Sequence, residues 1–181
     1  MKLLAFAATN HHASINAKLV AYAASLVEGA EVELLDLNDY DMPLYSQARE
    51  AADGVLPPAR RFFDKLGAAD AVIVSFAEHN GSFTAAYKNL HDWASRIDMK
   101  IYQGKPVVLL ATSPGARGGL GVMTAALGSF PYFGADVRGS LTVPRFYQSF
   151  DAQAGVLRDD ELDARLREAL AGLQARPPSD A

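Results

Sequence analysis

The sequence predicts an α/β fold in which helices cover both faces of one parallel β-sheet. Short apolar runs alternate along the chain with segments of helical periodicity, and glycine, proline and polar residues separate them. The chain has 181 residues, half of them hydrophobic, which is enough for one substantial core. Because strands and helices alternate, right-handed βαβ units and a parallel sheet are expected.

Five segments are expected to form the strands, since each is a short apolar run that ends at polar or turn residues. They are Lys2–Ala7, Glu31–Leu37, Asp70–Phe76, Lys105–Thr112 and Asp136–Pro144. Five helices are expected between and after them. They begin near Ser14, near Pro57, at about Phe83, just before Met123 and at "DDELDARLREALAGL".

This order of elements fits the flavodoxin-like doubly wound fold, a three-layer sandwich with strand order 2-1-3-4-5. We expect one domain over residues 1–173 and a disordered tail at 174–181. The segment "NDYDMPLYSQAREAADGVLPP" is polar and contains proline and glycine. It therefore predicts a long surface loop between the second strand and the second helix.

Composition excludes several classes of function. The net charge of −4 and the lack of a basic block argue against a nucleic-acid partner. The chain contains no cysteine, which excludes disulfides, thiolate catalysis and cysteine-ligated metals. No apolar run approaches the roughly 20 residues of a membrane span. We expect a soluble, cytoplasmic protein.

Three polar or glycine-bearing loops follow the first, third and fourth strands. In this fold, ligands bind beyond the carboxyl ends of the strands, where the strand order switches. The loops "TNHHASIN", "AEHNGS" and "SPGARGG" should meet there. The sequence therefore predicts a ligand site built from these three loops.

The first loop combines hydroxyl and amide side chains with the start of a helix. Thr9, His11, Ser14 and Asn16 and the free N–H groups of the helix would suit a phosphate. Ser14 could instead be a plain N-cap, with Asn16 exposed to solvent, and both interpretations stay open. The loop has neither a Walker motif nor a dinucleotide fingerprint.

The second loop contains Asn80-Gly81, a pair typical of a sharp turn with positive φ. A planar ligand could lie against this backbone, or the turn could simply open the next helix, with Ser82 as its cap. His79 could cover such a ring or be a surface residue. Glu78 could be a ligand contact or an acceptor for backbone N–H groups.

The third loop is rich in glycine, and Gly115, Gly118 and Gly119 would allow a ligand to approach closely. Ser113 and Arg117 would add hydrogen-bond donors. The alternative is a loop that only connects a strand to a helix.

No metal site is expected, because the chain has no H-x-x-x-H or H-E-x-x-H pattern.

The segment "AEHNGSFTAAYKNLHDW" is similar to the Pro-Glu-Tyr-Asn-Gly-Ser segment and following helix of the NADPH-dependent FMN reductase family. This family comprises flavodoxin-like quinone and azo-dye reductases, and the resemblance extends from about Lys2 to Leu173. The loop "ATNHHASIN" resembles the family's Gly-Ser-x-Arg-x-x-Ser-x-Asn phosphate loop, and "TSPGARGG" resembles its Ser-Pro-Gly-rich loop.

The resemblance implies an FMN site and assigns residues to it. The expected phosphate contacts are Thr9, His11, Ser14 and Asn16, and Ile15 is also expected to bind the cofactor. The isoalloxazine ring is expected against Ala77, Glu78, His79, Asn80 and Gly81, and its edge or the ribityl chain near Ser113, Gly115 and Arg117. His11 stands where the family has an arginine. Because imidazole lacks the fixed charge and fork of a guanidinium, weaker or more pH-dependent FMN binding is expected.

The resemblance also implies an activity: ping-pong transfer of a hydride from NADPH or NADH through flavin N5 to a quinone, azo or flavin acceptor. No side chain is assigned as a catalytic acid or base. A homodimer or homotetramer is implied, with "SFPYFG" and "PRFYQSF" as interface or core segments. The alternatives are a flavodoxin-like electron carrier and a non-catalytic domain with weakened FMN binding.

Overall fold

The central element of the structure is a five-stranded parallel sheet with the order β2-β1-β3-β4-β5. A computed structural model describes residues 1–174 of the chain. The strands are β1 (Lys2–Ala8), β2 (Glu31–Leu35), β3 (Ala71–Phe76), β4 (Pro106–Thr112) and β5 (Asp136–Val143). The predicted fold class and strand order are thus confirmed. The predicted tail lies, from residue 175 onward, outside the described residues.

Seven α-helices and a small hairpin complete the described part of the chain. The helices are α1 (Ile15–Ser25), α2 (Gln47–Asp53), α3 (Pro57–Ala68), α4 (Ala85–Ala94), α5 (Leu120–Ser129), α6 (Phe146–Ser149) and α7 (Asp160–Ala171). The hairpin pairs β6 (Phe150–Asp151) with β7 (Val156–Leu157) in antiparallel fashion. Among residues 1–174, no helix has the length and apolar character needed to cross a membrane.

The long connection after β2 is more ordered than the sequence predicted. It contains a 3₁₀ helix, Leu37–Tyr40, as well as α2. Both begin at polar caps, because Asp36 accepts a hydrogen bond from the Asn38 backbone N–H and Ser46 accepts one from the Arg49 N–H. The prediction of a continuous surface loop was wrong, because these two caps each stabilise the start of a short helix within the polar segment.

The two faces of the sheet bury different kinds of side chain. The face covered by α3, α4 and α5 is rich in aromatic residues, among them Phe6, Phe62 and Trp93. The face covered by α1 and α7 is mainly aliphatic, with Leu19 and Leu166 fully buried. Because side chains alternate along a strand, each central strand supplies both cores and is mostly apolar, with Ser75 in β3 and Thr112 in β4 as polar exceptions.

The two aromatic segments considered as interfaces contribute mainly to the core. Phe130, Phe146 and Phe150 are each 3% exposed or less. Of the aromatic residues in these segments, only Tyr132 and Tyr147 are exposed, at 63% and 71%. Core packing therefore explains the three phenylalanines, and the two tyrosines remain available at the surface.

Candidate functional site

The three predicted loops meet around one cavity of about 430 Å³ at the carboxyl ends of β1, β3 and β4. Most of the predicted site residues line it. They are Thr9, His11, Ser14, Ile15, Asn16, Ala77, Glu78, His79 and Ser113. The remaining predicted residues lie outside its lining. They are Asn80, Gly81, Gly115 and Arg117.

The first loop is folded by its own polar groups. Thr9 Oγ1 accepts a hydrogen bond from the His11 backbone N–H at 3.2 Å, and His11 O accepts one from the Ser14 N–H at 3.1 Å. Ser14 is the N-cap of α1, and its Oγ accepts from the Asn16 N–H at 3.1 Å. Among residues 1–174, the Ile15 N–H has no protein acceptor. The cavity thus meets a helix N-terminus, where backbone N–H groups favour an anion.

Asn16 is buried, so the interpretation of this residue as solvent-exposed was wrong. Its side chain is only 2% exposed and reaches across to the ends of β3 and β4. Oδ1 accepts from Ser75 Oγ at 2.8 Å and from the Thr112 N–H at 3.0 Å. Nδ2 donates to Thr112 O at 3.2 Å. The carboxamide therefore joins three elements beneath the cavity.

The second loop forms the sharp turn that its sequence indicated. Asn80 and Gly81 both have positive φ, at 52° and 79°. His79 and Ser82 are paired by two backbone hydrogen bonds of 3.0 and 3.1 Å, as in a type I′ hairpin turn. Because Ser82 belongs to this turn, it does not cap α4. That cap is Thr84, whose Oγ1 accepts from the Tyr87 N–H and donates to Ala8 O.

Glu78 links the second loop to the third. Its Oε2 accepts a hydrogen bond from the backbone N–H of Val122, in the first turn of α5, at 2.8 Å. The N-cap of α5 is Gly119, which has no side chain to cap the helix. The carboxylate of Glu78 takes that role and carries a negative charge that suits the helix N-terminus. Of the interpretations offered for Glu78, the structure supports the acceptor for backbone N–H groups.

The third loop packs against the exit of β5. Gly115 O accepts from the N–H groups of Gly118 and Arg145 at 3.3 and 3.0 Å. A Cβ at Gly118 would lie 2.8 Å from Pro144 N. The close approach at Gly118 is therefore made by the protein backbone, and the interpretation of this glycine as space for a ligand was wrong. Arg117 is exposed and lies outside the cavity lining.

Four residues line the cavity without having been predicted as site residues. They are Ala13, Thr112, Pro114 and Tyr147. The first three adjoin predicted residues in the sequence. Tyr147 belongs to α6, which follows β5. The carboxyl end of β5 lies at the same edge of the sheet as those of β1, β3 and β4, so the segment after β5 could have been predicted to reach the site. Arg145, which opens α6, has a φ of 49°, which is uncommon for a residue with a side chain.

The histidines of these loops differ in position, since His11 and His79 line the cavity and His12 does not. His12 lies toward the exit of β2, with its Nδ1 3.9 Å from Asp36 Oδ2. The pKa of Asp36 is held below its usual value, chiefly by the hydrogen bond from the Asn38 backbone N–H. Within residues 1–174, no three His, Asp or Glu side chains are grouped so as to hold a metal ion.

Sequence comparison identifies relatives over nearly the full chain. A sequence model of the NADPH-dependent FMN reductase family matches residues 1–148. An NAD(P)H-dependent FMN reductase of Pseudomonas aeruginosa is 29% identical, covering 96% of this chain and 94% of the relative. A probable NADPH:quinone oxidoreductase of Oryza sativa is 31% identical, covering 97% of this chain and 91% of the relative.

Solved structures support the same fold. FerB, a flavoenzyme NAD(P)H:(acceptor) oxidoreductase of Paracoccus denitrificans, superposes with a TM-score of 0.74 at 24% identity, covering 96% of this chain and 95% of FerB. An FMN-dependent NADH-azoreductase of Bacillus anthracis, solved in complex with FMN, has a TM-score of 0.67 at 12% identity, covering 95% and 98%. The family match spans well over half of the chain, and the chain therefore belongs to the NADPH-dependent FMN reductase family, a family of oxidoreductases that use FMN and NADPH.

Proposed function

We propose that this protein is an FMN-dependent NAD(P)H oxidoreductase that passes a hydride to quinone, azo or flavin acceptors. One observation carries the proposal: a loop at a helix N-terminus, the segment 77–79 that enters a type I′ turn, and the start of the third loop line one cavity at the switch point of the sheet. The first offers donors for a phosphate, and the second offers an open backbone for a flat ring.

At the phosphate end, the N-terminus of α1 and the loop before it are the binding groups. Ser14, Ile15 and Thr9 line the cavity, and the Ile15 N–H has no acceptor among residues 1–174. These groups would hold a phosphate through backbone donors and the helix dipole. His11 would sit beside it in place of an arginine, so part of the usual charge is absent.

At the ring end, the backbone of the 77–81 segment is the proposed platform. Within the described residues, the backbone N–H groups of Asn80 and Gly81 donate to no protein acceptor. A Cβ built on Gly81 would meet no atom within 4 Å, so this turn is open on its outer side. Such donors can stabilise negative charge that develops on a bound ring.

Bound FMN would supply the two-electron chemistry, and the chain would supply binding, orientation and electrostatics. The nicotinamide donor and the acceptor are proposed to occupy the same open face in turn, which gives ping-pong kinetics. Tyr147 lies on the rim of the cavity and is 71% exposed, so it is available to contact either substrate. No side chain of the loops is assigned a proton-transfer role.

Self-association is a further part of the proposal. Tyr132 and Tyr147 are the exposed aromatic residues of the two segments first considered as interfaces. We expect a homodimer or homotetramer, and light scattering after size-exclusion chromatography measures its mass. The lack of cysteine is compatible with action in the cytoplasm, which is also proposed.

The test of the activity is anaerobic reduction of the flavin-loaded protein. The protein is purified with added FMN, freed of unbound flavin and mixed with NADPH up to about 1 mM, near the upper end of ordinary Michaelis constants. Loss of absorbance at about 450 nm is the expected result, because reduced flavin lacks the oxidised ring's visible band. Bound flavin that NADPH leaves oxidised would contradict a reductase and match an electron carrier instead.

A further inference from the structure

Asn16 occupies an unusual place for a residue beside a cofactor cavity. It is the second residue of α1, yet its side chain turns inward and is 2% exposed. Both backbone groups of Thr112, the last residue of β4, are bonded to its carboxamide. The oxygen also accepts from Ser75 Oγ in β3, so it accepts two hydrogen bonds within the protein.

The Asn16 carboxamide takes the place of a peptide group from a neighbouring strand. β3 and β4 are paired in register as far as Phe76 and Ala111, and β3 ends at Phe76. Thr112 thus extends one residue beyond the last pair on that side. A carboxamide has the donor and acceptor of a peptide group, so Asn16 satisfies the Thr112 backbone where a strand would otherwise do so. On the other side, Thr112 Oγ1 donates to Val143 O in β5 at 2.7 Å.

We propose that Asn16 is a positioning residue that fixes the N-terminus of α1 against β3 and β4, so that the loop from Thr9 to Ser14 is preformed for the FMN phosphate. This inference rests on the proposed FMN site. It differs from a direct phosphate contact, in which Asn16 Nδ2 would donate to the phosphate. Nδ2 already donates to Thr112 O, and the oxygen accepts from Ser75 and Thr112, so the carboxamide is turned toward the strand ends. The phosphate would be bound by backbone N–H groups that Asn16 holds in place.

A substitution of Ser75 can distinguish this proposal from a direct contact between Asn16 and the phosphate. It is fully buried and does not line the cavity, so it cannot touch the cofactor. Among residues 1–174, the one side-chain hydrogen bond of Ser75 is to Asn16, and through it the hydroxyl acts on the first loop. If Asn16 acts by position, removal of the Ser75 hydroxyl should weaken phosphate binding. If Asn16 binds the phosphate itself, the same change should have no effect on it.

The experiment compares FMN with riboflavin, which lacks only the phosphate, in wild type, Asn16→Ala, Ser75→Ala and the double variant. Dissociation constants come from quenching of flavin fluorescence, and circular dichroism checks that each variant is folded. For Asn16→Ala we expect FMN to bind about tenfold more weakly, with riboflavin nearly unchanged, since a buried hydrogen-bond network is lost. For Ser75→Ala we expect about a threefold loss for FMN alone. The double variant should lose no more than Asn16→Ala.

Two results would overturn the proposal while leaving the proposed function in place. An unchanged FMN affinity in Ser75→Ala, together with a loss in Asn16→Ala, would make Asn16 a direct ligand. Equal losses for FMN and riboflavin would mean that Asn16 supports the fold in general rather than the phosphate loop. If wild type binds neither flavin, the proposed function itself fails, and the inference fails with it. Ser75→Ala is a mild change, so it keeps the test decisive if Asn16→Ala does not fold.

Discussion

The two edges of the sheet differ in how they use buried polar side chains. Tyrosine aside, residues 1–174 bury seven polar residues, and all but one lie at the carboxyl edge, around the cavity. These six are Thr9, Ser14, Asn16, Ser75, Thr84 and Thr112. The seventh, His91, lies in the last turn of α4, toward the opposite edge, among aromatic rings.

The difference shows what each edge must achieve. At the carboxyl edge, hydrogen bonds such as Thr84 Oγ1 to Ala8 O join separate elements and fix the loops relative to one another. A buried polar group that is fully bonded specifies one arrangement, which a binding site needs. At the opposite edge, short turns and surface ion pairs such as Lys65–Glu33 are sufficient, because those loops only have to connect elements.

The largest effect expected from this comparison is at Gly118. Gly118→Ala would place a Cβ 2.8 Å from Pro144 N, at a φ of 59°, and we expect a loss of about 3 kcal/mol in the free energy of unfolding. Gly29→Ala is the matched control at the opposite edge, because its φ is 71° but nothing lies within 4 Å. It should cost about 1 kcal/mol, from backbone strain alone. Equal losses by urea denaturation would contradict the close packing at the carboxyl edge.

The second prediction concerns the isolated polar residue of the other edge. Burial lowers the pKa of His91 to about 4, from an ordinary value of 6.5. The folded state therefore resists protonation. Stability is fully present above pH 6.5 and falls as the pH drops toward 4, by up to about 3 kcal/mol. The neighbouring charges are Asp92, which raises this pKa, and Lys88, which lowers it.

His91→Phe tests that pH dependence, because phenylalanine keeps an aromatic ring at this position and has no titrating group. The free energy of unfolding is measured for both proteins at pH 7 and pH 4.5. Wild type should lose about 2 kcal/mol more than the variant between these values. Carboxylates titrate in both proteins, so the comparison cancels their contribution. Parallel pH profiles would show that His91 is not buried as described.

A smaller effect is expected for the link between the second and third loops. Glu78→Ala leaves the Val122 N–H at the start of α5 without its acceptor, and we expect a loss of about 1 to 2 kcal/mol in thermal or chemical unfolding. Glu28→Ala is the control, because Glu28 is exposed at the other end of the sheet and forms no ion pair within the described residues. A loss at Glu28 as large as that at Glu78 would contradict the capping role.

The smallest stability effect expected is the loss of an N-cap, compared at two helices. Ser14→Ala and Ser46→Ala each remove a side-chain acceptor, for Asn16 N–H and Arg49 N–H respectively. Each should cost about 1 kcal/mol of stability. Only Ser14→Ala should also weaken FMN binding, because α1 begins at the cavity and α2 does not. Equal FMN affinity in the two variants would contradict a role for the N-terminus of α1 in phosphate binding.

The fold could be predicted well from sequence because the central strands are buried on both faces. A run such as "DAVIVSF" is then apolar at five of its seven positions, and it indicates a strand without knowledge of its neighbours. The loops of the site were also predictable, since the exits of parallel strands must meet at one edge. Short helices such as α2 were missed because caps decide them more than periodicity does.

The roles of individual site residues were harder to predict. Whether Asn16 faces solvent or the strand ends depends on Ser75 and Thr112, which lie 59 and 96 residues away in sequence. Glu78 and Val122 are likewise separated by 44 residues. Gly118 could suit a ligand or a neighbouring strand exit, and only the position of Pro144 decides between them. The local sequence pattern indicates that such residues matter, but their roles depend on contacts with residues that are distant in the sequence.

The most direct test of the account is the effect of a single negative charge at the start of α1. Ala13 is exposed and lines the cavity, and Ala48 is exposed in the first turn of α2, away from it. An aspartate suits a helix N-terminus, so neither Ala13→Asp nor Ala48→Asp should disturb folding. Fluorescence titration with FMN should show binding weakened by about tenfold or more in Ala13→Asp, through repulsion of the phosphate, and unchanged in Ala48→Asp. Equal FMN affinity in wild type and both variants would contradict a phosphate site at this end of the sheet.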